Sequence, residues 1–175
     1  LFTQVDEDED LWRMAMVFYA TMRGIPQIYY GTEIQMSHAE TDSHGAIRAE
    51  FPGGWPDHEA SAFSGAGLND QQRAALDFTR TLLNWRKSAN AVHNGGFMHF
   101  TPIGPVYVYF RYDEDNTVMV ILNHGEDEVD LDLERFSERL NDATEAHDVL
   151  DDATIELTDQ LKLAPRSARL LEITH

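Results

Sequence analysis

The sequence predicts a chain in two parts, an α/β segment over residues 1–90 followed by an antiparallel β-sandwich over residues 91–175. Two observations carry this prediction. Before residue 90, two helical patterns flank one short apolar run, and after it apolar and polar residues alternate with a period of two. A buried strand between helices is typical of an α/β layer, whereas closely spaced alternating strands are typical of a sandwich.

The first predicted helix covers residues 10–23, DLWRMAMVFYATMR, and it is apolar around most of its circumference, so it should be buried. Aspartates in the acidic stretch 6–10 are suitable caps for its start. Gly24 and Pro26 end it. The next residues, 25–30, form a compact apolar run that predicts a short buried strand.

A long irregular segment then covers residues 31–68, rich in Gly, Ser, His, Asp and Pro and without periodicity. Compact domains rarely carry so long a segment without using it. Phe51, Trp55 and Phe63 favour an ordered loop, because a merely solvated loop has little reason to contain aromatic residues.

The second predicted helix covers residues 70–88. Asn69 and Gln72 stand in capping-box positions at its start. Phe78, Leu82 and Trp85 share one stripe, which predicts that one face of this helix is packed against the core.

The remaining residues predict the β-sandwich. The run 118–122 is continuously apolar, as expected of a central strand, and residues 134–140 predict one or two helical turns. The other predicted strands lie near 98–100, 106–112, 129–133, 147–150, 154–157, 161–163 and 167–173.

The composition restricts the partners. With 31 acidic and 13 basic residues the formal charge is −18, which repels nucleic acid and anionic membrane surfaces and favours a neutral partner. No apolar run approaches the roughly 20 residues of a membrane span. The absence of cysteine excludes disulfides and thiolate chemistry. The acidity, together with only two lysines, is the basis for a hypothesis of adaptation to high salt.

A helix, a buried strand and a long loop leading to another helix correspond to one βα step of a parallel barrel. In such barrels the loops at the carboxyl ends of the strands build the active site, which would place Glu33 at the rim. A single βα step fits a doubly wound sheet equally well. The chain also starts at Leu1 rather than at methionine, and we expect it to be part of something longer.

Two segments resemble the α-amylase family, glycoside hydrolase family 13. GIPQIYYGTEI at 24–34 resembles the GxPxxYYGxE segment on that family's eighth barrel strand, and AIRAEFPGGW at 46–55 resembles the following loop in its neopullulanase and cyclomaltodextrinase branch. LFTQV at the start and LAPRSARLLEI near the end extend the resemblance. It implies that residues 1–90 are the C-terminal part of a (β/α)8 TIM barrel (last strand, long loop, last helices) and that residues 91–175 are a C-terminal antiparallel β-sandwich domain.

The resemblance implies a parent enzyme that hydrolyses α-1,4-glucosidic bonds of starch-like oligosaccharides, cyclodextrins or pullulan with retention. All three catalytic carboxylates of the family lie in motifs that precede the matched region, so this piece should contain no catalytic residue and be inactive alone. LNHG at 122–125 resembles another signature of the family, but glycine stands at its carboxylate position, and we assign it no catalytic role.

The resemblance implies that Arg48, Trp55, Asp42 and Glu33 form the substrate-binding set. Arginine and aromatic side chains suit pyranose rings, which offer hydroxyl rims and apolar faces. In the family an aspartate usually stands four positions before the arginine, but here that position is His44 and Asp42 lies six before. Glu33 is expected to orient the rim rather than to donate a proton.

Less specific roles compete with these. Arg48 would pair with Glu50 or another surface carboxylate, and the loop histidines would be exposed to solvent. Tyr29 and Tyr30 would pack in the core, one inside the barrel and one against the helices.

A metal site is conceivable in HAETDSH, where His38, Glu40, Asp42 and His44 alternate. Alternation without a fixed strand is poor geometry, so we predict no metal and no cofactor, while the resemblance leaves calcium possible in the parent protein. The predicted partners are an α-glucan oligosaccharide and the rest of the parent barrel, with no nucleic acid and no membrane. The resemblance favours a periplasmic or extracellular location over a cytoplasmic one.

A rival hypothesis makes the chain a non-catalytic carbohydrate-binding or interaction module centred on the β-sandwich. Tyr107 and Tyr109 share one strand face and would form a stacking platform for sugars. A third hypothesis gives the β domain only the task of supporting the barrel.

Overall fold

The computed structural model describes residues 1–38 and 43–174. The helices are α1 (Glu9–Thr21), α2 (Asp70–Ser88), α3 (Asn90–Asn94) and α4 (Ser137–Leu140). The strands are β1 (Gly96–His99), β2 (Val106–Tyr112), β3 (Thr117–Asn123), β4 (Val129–Asp132), β5 (Glu145–Asp148), β6 (Ala153–Glu156), β7 (Gln160–Leu163) and β8 (Ser167–Thr174). Short 3-10 turns cover Phe2–Val5, Thr32–Ile34, Ala46–Arg48 and Glu134–Phe136. No helix in these described ranges is long and apolar enough to span a membrane.

Helix α1 confirms the first predicted helix, apart from its last two residues. The Asp8 side chain caps it by accepting hydrogen bonds from the backbone N–H groups of Leu11 and Asp10, both at 2.9 Å. The Leu11 bond is the main cause that lowers the pKa of Asp8. Trp12, on this helix, is fully buried, as predicted from the apolar residues around most of the helix circumference.

Helix α2 confirms the second predicted helix. The capping box is complete, because the Gln72 backbone N–H donates to Asn69 Oδ1 at 2.8 Å and the Asn69 N–H donates to Gln72 Oε1 at 3.1 Å. Leu82 is fully buried, with Phe78 and Trp85 half-buried beside the same core. The predicted stripe therefore faces inward.

The predicted buried strand at 25–30 is wrong. The segment has no strand conformation, Ile25 is 96% exposed, and Tyr29 and Tyr30 are 56% and 42% exposed. An interior barrel strand forms only when neighbouring strands accept and donate its backbone hydrogen bonds, and no strand of the described chain pairs with this segment. The expected packing of both tyrosines in a core is wrong for the same reason.

The strands confirm the predicted mostly antiparallel sheet. Six of them form one sheet in the order β1-β2-β3-β8-β5-β6, and β4 pairs with β7 in a second, two-stranded sheet. Strand β3 pairs with β2 on one edge and with β8 on the other. Its residues 118–123 are all buried, which confirms the central strand predicted from continuous apolarity.

The six-stranded sheet has a core on each face. Residues of α1 and α2 pack on one face, against β2, β3 and β8, while β4, β7 and the Glu134–Phe136 turn cover the other. The second layer on that side makes the predicted sandwich. Helices and sheet thus share one of the two cores.

Strand β2 attaches the sheet to the C-terminal end of α1. Arg111 is 2% exposed and donates to the backbone carbonyls of Thr21, Gly96 and Gly95 at 2.9, 3.1 and 3.3 Å. The hydroxyls of Tyr109 and Thr21 are 2.5 Å apart. Burial raises the pKa of Tyr109 and lowers that of Arg111. Because Tyr109 is fully buried in this contact, the predicted sugar platform on Tyr109 is wrong.

Candidate functional site

An open cleft of about 680 Å³ lies beside the GIPQIYYGTEI segment, and we call it the Tyr29 cleft. Its size is that of an ordinary small-ligand site. The described residues that line it are Leu1, Thr3, Gln4, Tyr29, Tyr30, Gly31, Thr32, Met36, His38, His44, Ile47 and Ala49.

Two tyrosine rings form one wall of the Tyr29 cleft. The ring centroids of Tyr29 and Tyr30 are 4.6 Å apart, with an angle of 38° between the planes. Tyr30 Oη donates to the backbone carbonyl of Ala49 at 3.1 Å, which ties this wall to the loop that carries Arg48. The Tyr29 hydroxyl raises the pKa of Tyr30, with Arg48 acting in the opposite direction. Tyr30 is protonated at neutral pH, since the ordinary pKa of a tyrosine is about 10, and its hydroxyl is the donor in this bond.

The glycine of the YYGTE segment is required by the backbone. Gly31 has φ +85°, and a Cβ at this position would lie 2.4 Å from Met36 Sδ. The 3-10 turn Thr32–Ile34 follows, with Ile34 fully buried beside α2. This turn directs the chain back over α2 and fixes the position of Glu33.

Arg48 borders the Tyr29 cleft on an exposed turn. Its neighbours Ile47 and Ala49 line the cleft, and its own Nη1 donates to the backbone carbonyl of His44 at 2.7 Å. Among residues 1–38 and 43–174 no carboxylate forms an ion pair with Arg48. The predicted pairing with Glu50 is wrong, since Glu50 Oε2 lies 3.3 Å from His58 Nε2 and no ion pair joins Glu50 to Arg48. Pairing of Arg48 with another surface carboxylate stays a prediction, because Glu40 and Asp42 lie outside the described residues.

Asp42 lies outside the described residues, as does Glu40, so the sugar contact of Asp42 and the metal prediction for HAETDSH stay predictions. Of that segment, His44 is exposed and His38 is half-buried, and both line the Tyr29 cleft. No group of three or more potential ligands occurs within the part of the chain that the structure describes.

Trp55 lies on a separate turn and is 61% exposed. His58 holds this turn, because its Nδ1 accepts a hydrogen bond from the Gly53 backbone N–H at 2.9 Å. Its Nε2 lies 3.3 Å from Glu50 Oε2. The backbone N–H of His58 also donates to the backbone carbonyl of Trp55 at 3.2 Å. His58 therefore holds the backbone of the turn that carries Trp55, and Trp55 does not line the Tyr29 cleft.

Glu33 lines a different cavity, of about 460 Å³, which we call the aromatic cavity. The described residues that line it are Tyr30, Glu33, Phe51, Ala62, Phe63, Leu76 and Arg80. Oε2 of Glu33 is buried and has no hydrogen-bond partner. Tyr30 is the only described residue that lines both cavities.

The structure therefore separates the predicted substrate-binding set. Arg48 borders one cavity, Glu33 lines another, and Trp55 projects from a turn that lines neither. Sequence reasoning missed the positioning role of His58, since one histidine in a Gly, Pro and Asp-rich loop gives no periodic signal. It also missed that Phe51 and Phe63 form a cavity wall.

The described lining of the Tyr29 cleft offers groups that suit the binding of a polar ligand. It combines aliphatic side chains with aromatic, hydroxyl, amide and imidazole groups, and no carboxylate is among the lining residues placed by the structure. Glycoside hydrolysis by the usual route needs two carboxyl groups on either side of the scissile bond. In LNHG, Asn123 is buried and bonds the backbone of its own turn and of Ala164, which is a structural role.

Comparison with known proteins relates both parts of the chain to enzymes of glucan metabolism. Residues 97–172 match the family described as the Cyclo-malto-dextrinase C-terminal domain. The chain is 32% identical to a cyclomaltodextrin glucanotransferase of Klebsiella oxytoca over 119 residues, 65% of this chain and 16% of that protein. It is 27% identical to alpha-amylase 2 of Dictyoglomus thermophilum over 175 residues, 97% of this chain and 27% of the relative.

Solved structures show the same fold. The α-amylase from H. orenii superposes with a TM-score of 0.70 at 22% identity, covering 99% of this chain and 37% of that chain. A structure of AmyP in complex with maltose gives a TM-score of 0.71 at 21% identity, covering 94% of this chain and 34% of that chain. The chain thus spans between a sixth and about a third of the proteins that it resembles.

Proposed function

We propose that the chain is the C-terminal part of a retaining α-glucan hydrolase of the α-amylase family, a proposal supported by its similarity to the cyclomaltodextrin glucanotransferase and the α-amylases. The parent would be of the neopullulanase or α-amylase type and act on α-1,4-glucosidic bonds of starch-like oligosaccharides, cyclodextrins or pullulan. In this proposal residues 1–90 complete a (β/α)8 barrel, and residues 91–175 form the domain that follows it.

The Tyr29 cleft is the observation that carries this proposal. It presents two exposed tyrosine rings beside the turn of Arg48, and a pyranose offers apolar faces to such rings and hydroxyls to a guanidinium. Arg48 Nη1 donates to the His44 carbonyl, and in this proposal the other N–H groups of its guanidinium donate to the hydroxyls of a neutral sugar. Asp42 and Trp55 belong to the same proposed substrate-binding surface.

We assign the reactive carboxylates to the remainder of the parent barrel. Positioned acid and nucleophile supply most of the transition-state stabilisation in glycoside hydrolysis, so the chain alone should bind glucan without cleaving it. A hydrolysis assay on maltoheptaose with the isolated chain tests this statement. Product formation above the rate in buffer would refute it.

The same remainder would cover an apolar surface beside α1. A second groove of about 330 Å³ is lined by Phe18, Tyr19, Ile28 and Tyr29, among others. Phe18 and Tyr19 are 38% and 44% exposed although they lie on the helix that packs on the sheet. Exposed apolar patches of this kind mark surfaces that contact another part of a protein.

Binding is tested by titrating the isotope-labelled chain with maltoheptaose and following backbone amide resonances. The proposal predicts shifts around Tyr29 and Ile47, with little response to a β-linked oligosaccharide such as cellohexaose. Arg48→Ala should weaken binding about three- to tenfold, as expected when a charged hydrogen bond is lost at an exposed site. Arg73→Ala is the matched control, because Arg73 is another exposed arginine that lines neither cavity.

The rival module hypothesis predicts a different response in this titration. Shifts confined to the exposed surface of β1 to β8 would support a carbohydrate-binding sandwich and contradict the cleft assignment. The buried contacts of Arg111 and Tyr109 with α1 instead support a sheet that holds the helical part in place.

A further inference from the structure

The aromatic cavity combines three features that the Tyr29 cleft does not explain. It is bounded by the loop that carries Phe51 and Phe63 on one side and by α2 on the other. Its volume of about 460 Å³ is within the range of small-ligand sites. It contains a carboxylate oxygen without a partner.

Its aromatic wall is exposed. The rings of Phe51 and Phe63 are 5.4 Å apart at an interplanar angle of 70°, and those of Tyr30 and Phe51 are 6.5 Å apart at 76°. Phe63 nevertheless remains 72% exposed. Phe63 packs edge-to-face on Phe51 and leaves most of its apolar surface open to a planar or ring-shaped ligand.

Glu33 provides the polar contact. Its side chain lines the cavity, and its buried Oε2 has no hydrogen-bond partner among the described residues, which is unfavourable for a carboxylate oxygen. The fold holds Glu33 there, because the turn Thr32–Ile34 is fixed by Gly31 on one side and by buried Ile34 on the other. A ligand hydroxyl is a donor of suitable size and charge.

Arg80 completes the rim from helix α2. Its Nη1 donates to Asp77 Oδ1 at 3.1 Å, and the side chain stays about half exposed. A cation on this rim disfavours a positively charged ligand at Glu33 and leaves N–H donors for hydroxyl oxygens. The cavity thus offers an acceptor, a cationic donor group and apolar rings, a combination that suits a neutral polyol.

We propose that the aromatic cavity is a second carbohydrate site, which binds one or two glucose units of an α-glucan through Phe63, Glu33 and Arg80. The choice of an α-glucan rests on the proposed function. The site is separate from the Tyr29 cleft, with which it shares only Tyr30 among the described lining residues.

The test is the amide titration with maltoheptaose, now read at Glu33, Ala62 and Leu76. We expect these resonances to shift during the titration and to give a Kd of their own, independent of the Kd obtained from the shifts around Ile47. Phe63→Leu keeps an apolar side chain but removes the ring, and Glu33→Gln keeps the shape but removes the charge. Each should weaken the second set of shifts at least about threefold and leave the first set unchanged.

The controls separate the two proposals. Arg48→Ala should affect only the shifts around Ile47, and Glu114→Gln, a change in the exposed β2–β3 turn, should affect neither set. Shifts at the Tyr29 cleft alone would overturn the second site while leaving the proposed function intact. Shifts of Glu33 and Ala62 with tetramethylammonium but not with maltoheptaose would also overturn it, since they would identify a cation as the occupant.

Discussion

The helical half of the molecule, residues 1–94, and the sheet half, residues 96–174, use their large apolar side chains differently. Ten such side chains are exposed among the described residues, and nine of them lie before residue 64. Ile103 is the tenth. In the sheet half, by contrast, residues 118–123 of β3 are all buried between two cores.

This difference separates apolar side chains that stabilise the fold from exposed ones that are available to bind a ligand. Apolar residues of the sheet form the two cores, whereas the rings of Tyr29, Trp55 and Phe63 are exposed outside these cores. Rigid exposed rings on a stable support are what an oligosaccharide site requires. The comparison holds only if the helical half is kept in place by the sheet.

The largest expected effect comes from breaking that attachment at Arg111. Arg111→Met keeps much of the side-chain volume but leaves the carbonyls of Thr21, Gly95 and Gly96 without their buried donor. We expect a loss of about 2–4 kcal/mol in the free energy of unfolding, measured by urea denaturation. The exposed Arg48→Ala should change it by less than about 0.5 kcal/mol.

Arg111→Lys is the matched variant for this experiment. A lysine keeps the charge but cannot donate to several carbonyls in the fixed planar arrangement of a guanidinium. The free energy of unfolding of Arg111→Lys should therefore lie between that of Arg111→Met and that of the unmodified chain. Equal stability of Arg111→Met and the unmodified chain would show that the two halves do not depend on this contact.

A smaller effect is expected at the other end of α1, where Asp8 caps the helix and pairs with Arg166 of the sheet half. Its pKa is lowered in the folded state, so the carboxylate stabilises the fold above its unfolded pKa of about 4 and this contribution is lost as the pH falls below it. Asp8→Ala should therefore lower Tm at pH 7 and lower it less at pH 2.

Asp8→Asn separates the two contributions of that side chain. Asparagine keeps a side-chain oxygen for the Leu11 N–H but cannot form the ion pair with Arg166, so its Tm should lie above that of Asp8→Ala. If Asp8→Ala lowers Tm by the same amount at pH 7 and at pH 2, the role assigned to the Asp8 carboxylate is contradicted.

Local patterns in the sequence were sufficient for α1, α2 and the antiparallel strands. The side chains of Asp8 and Asn69 cap their helices by bonding to residues a few positions along the chain. The continuous apolar run of β3 indicates burial in whichever core the chain forms. The exposed conformation of residues 25–30 was not predictable in this way, because apolarity does not tell whether a strand finds partners. The separation of Glu33 from Arg48 was not predictable either, since it follows from the path of a long loop.

The two halves also differ in charge, which allows a test of salt adaptation. Residues 91–175 contain 18 of the 31 carboxylates and 6 of the 13 basic residues, a net charge of −12 against −6 for residues 1–90. Screening should relieve this repulsion, so Tm should rise between about 0.02 M and about 0.5 M sodium chloride. The rise should shrink at about pH 5, where part of the carboxylates are protonated. A flat or falling Tm at pH 7 would remove the hypothesis.

A small effect on stability, together with a local effect on an exposed ring, is expected at His58. His58→Asn places an amide oxygen where Nδ1 accepts the Gly53 N–H, whereas His58→Gln can reach only Glu50 from the position of Nε2. Both should change the unfolding free energy by less than about 1 kcal/mol. The indole N–H resonance of Trp55 should stay in place in His58→Asn and move and broaden in His58→Gln. If the Trp55 resonance is unchanged in both, the turn is held without His58, and the exposed indole depends on the loop backbone alone.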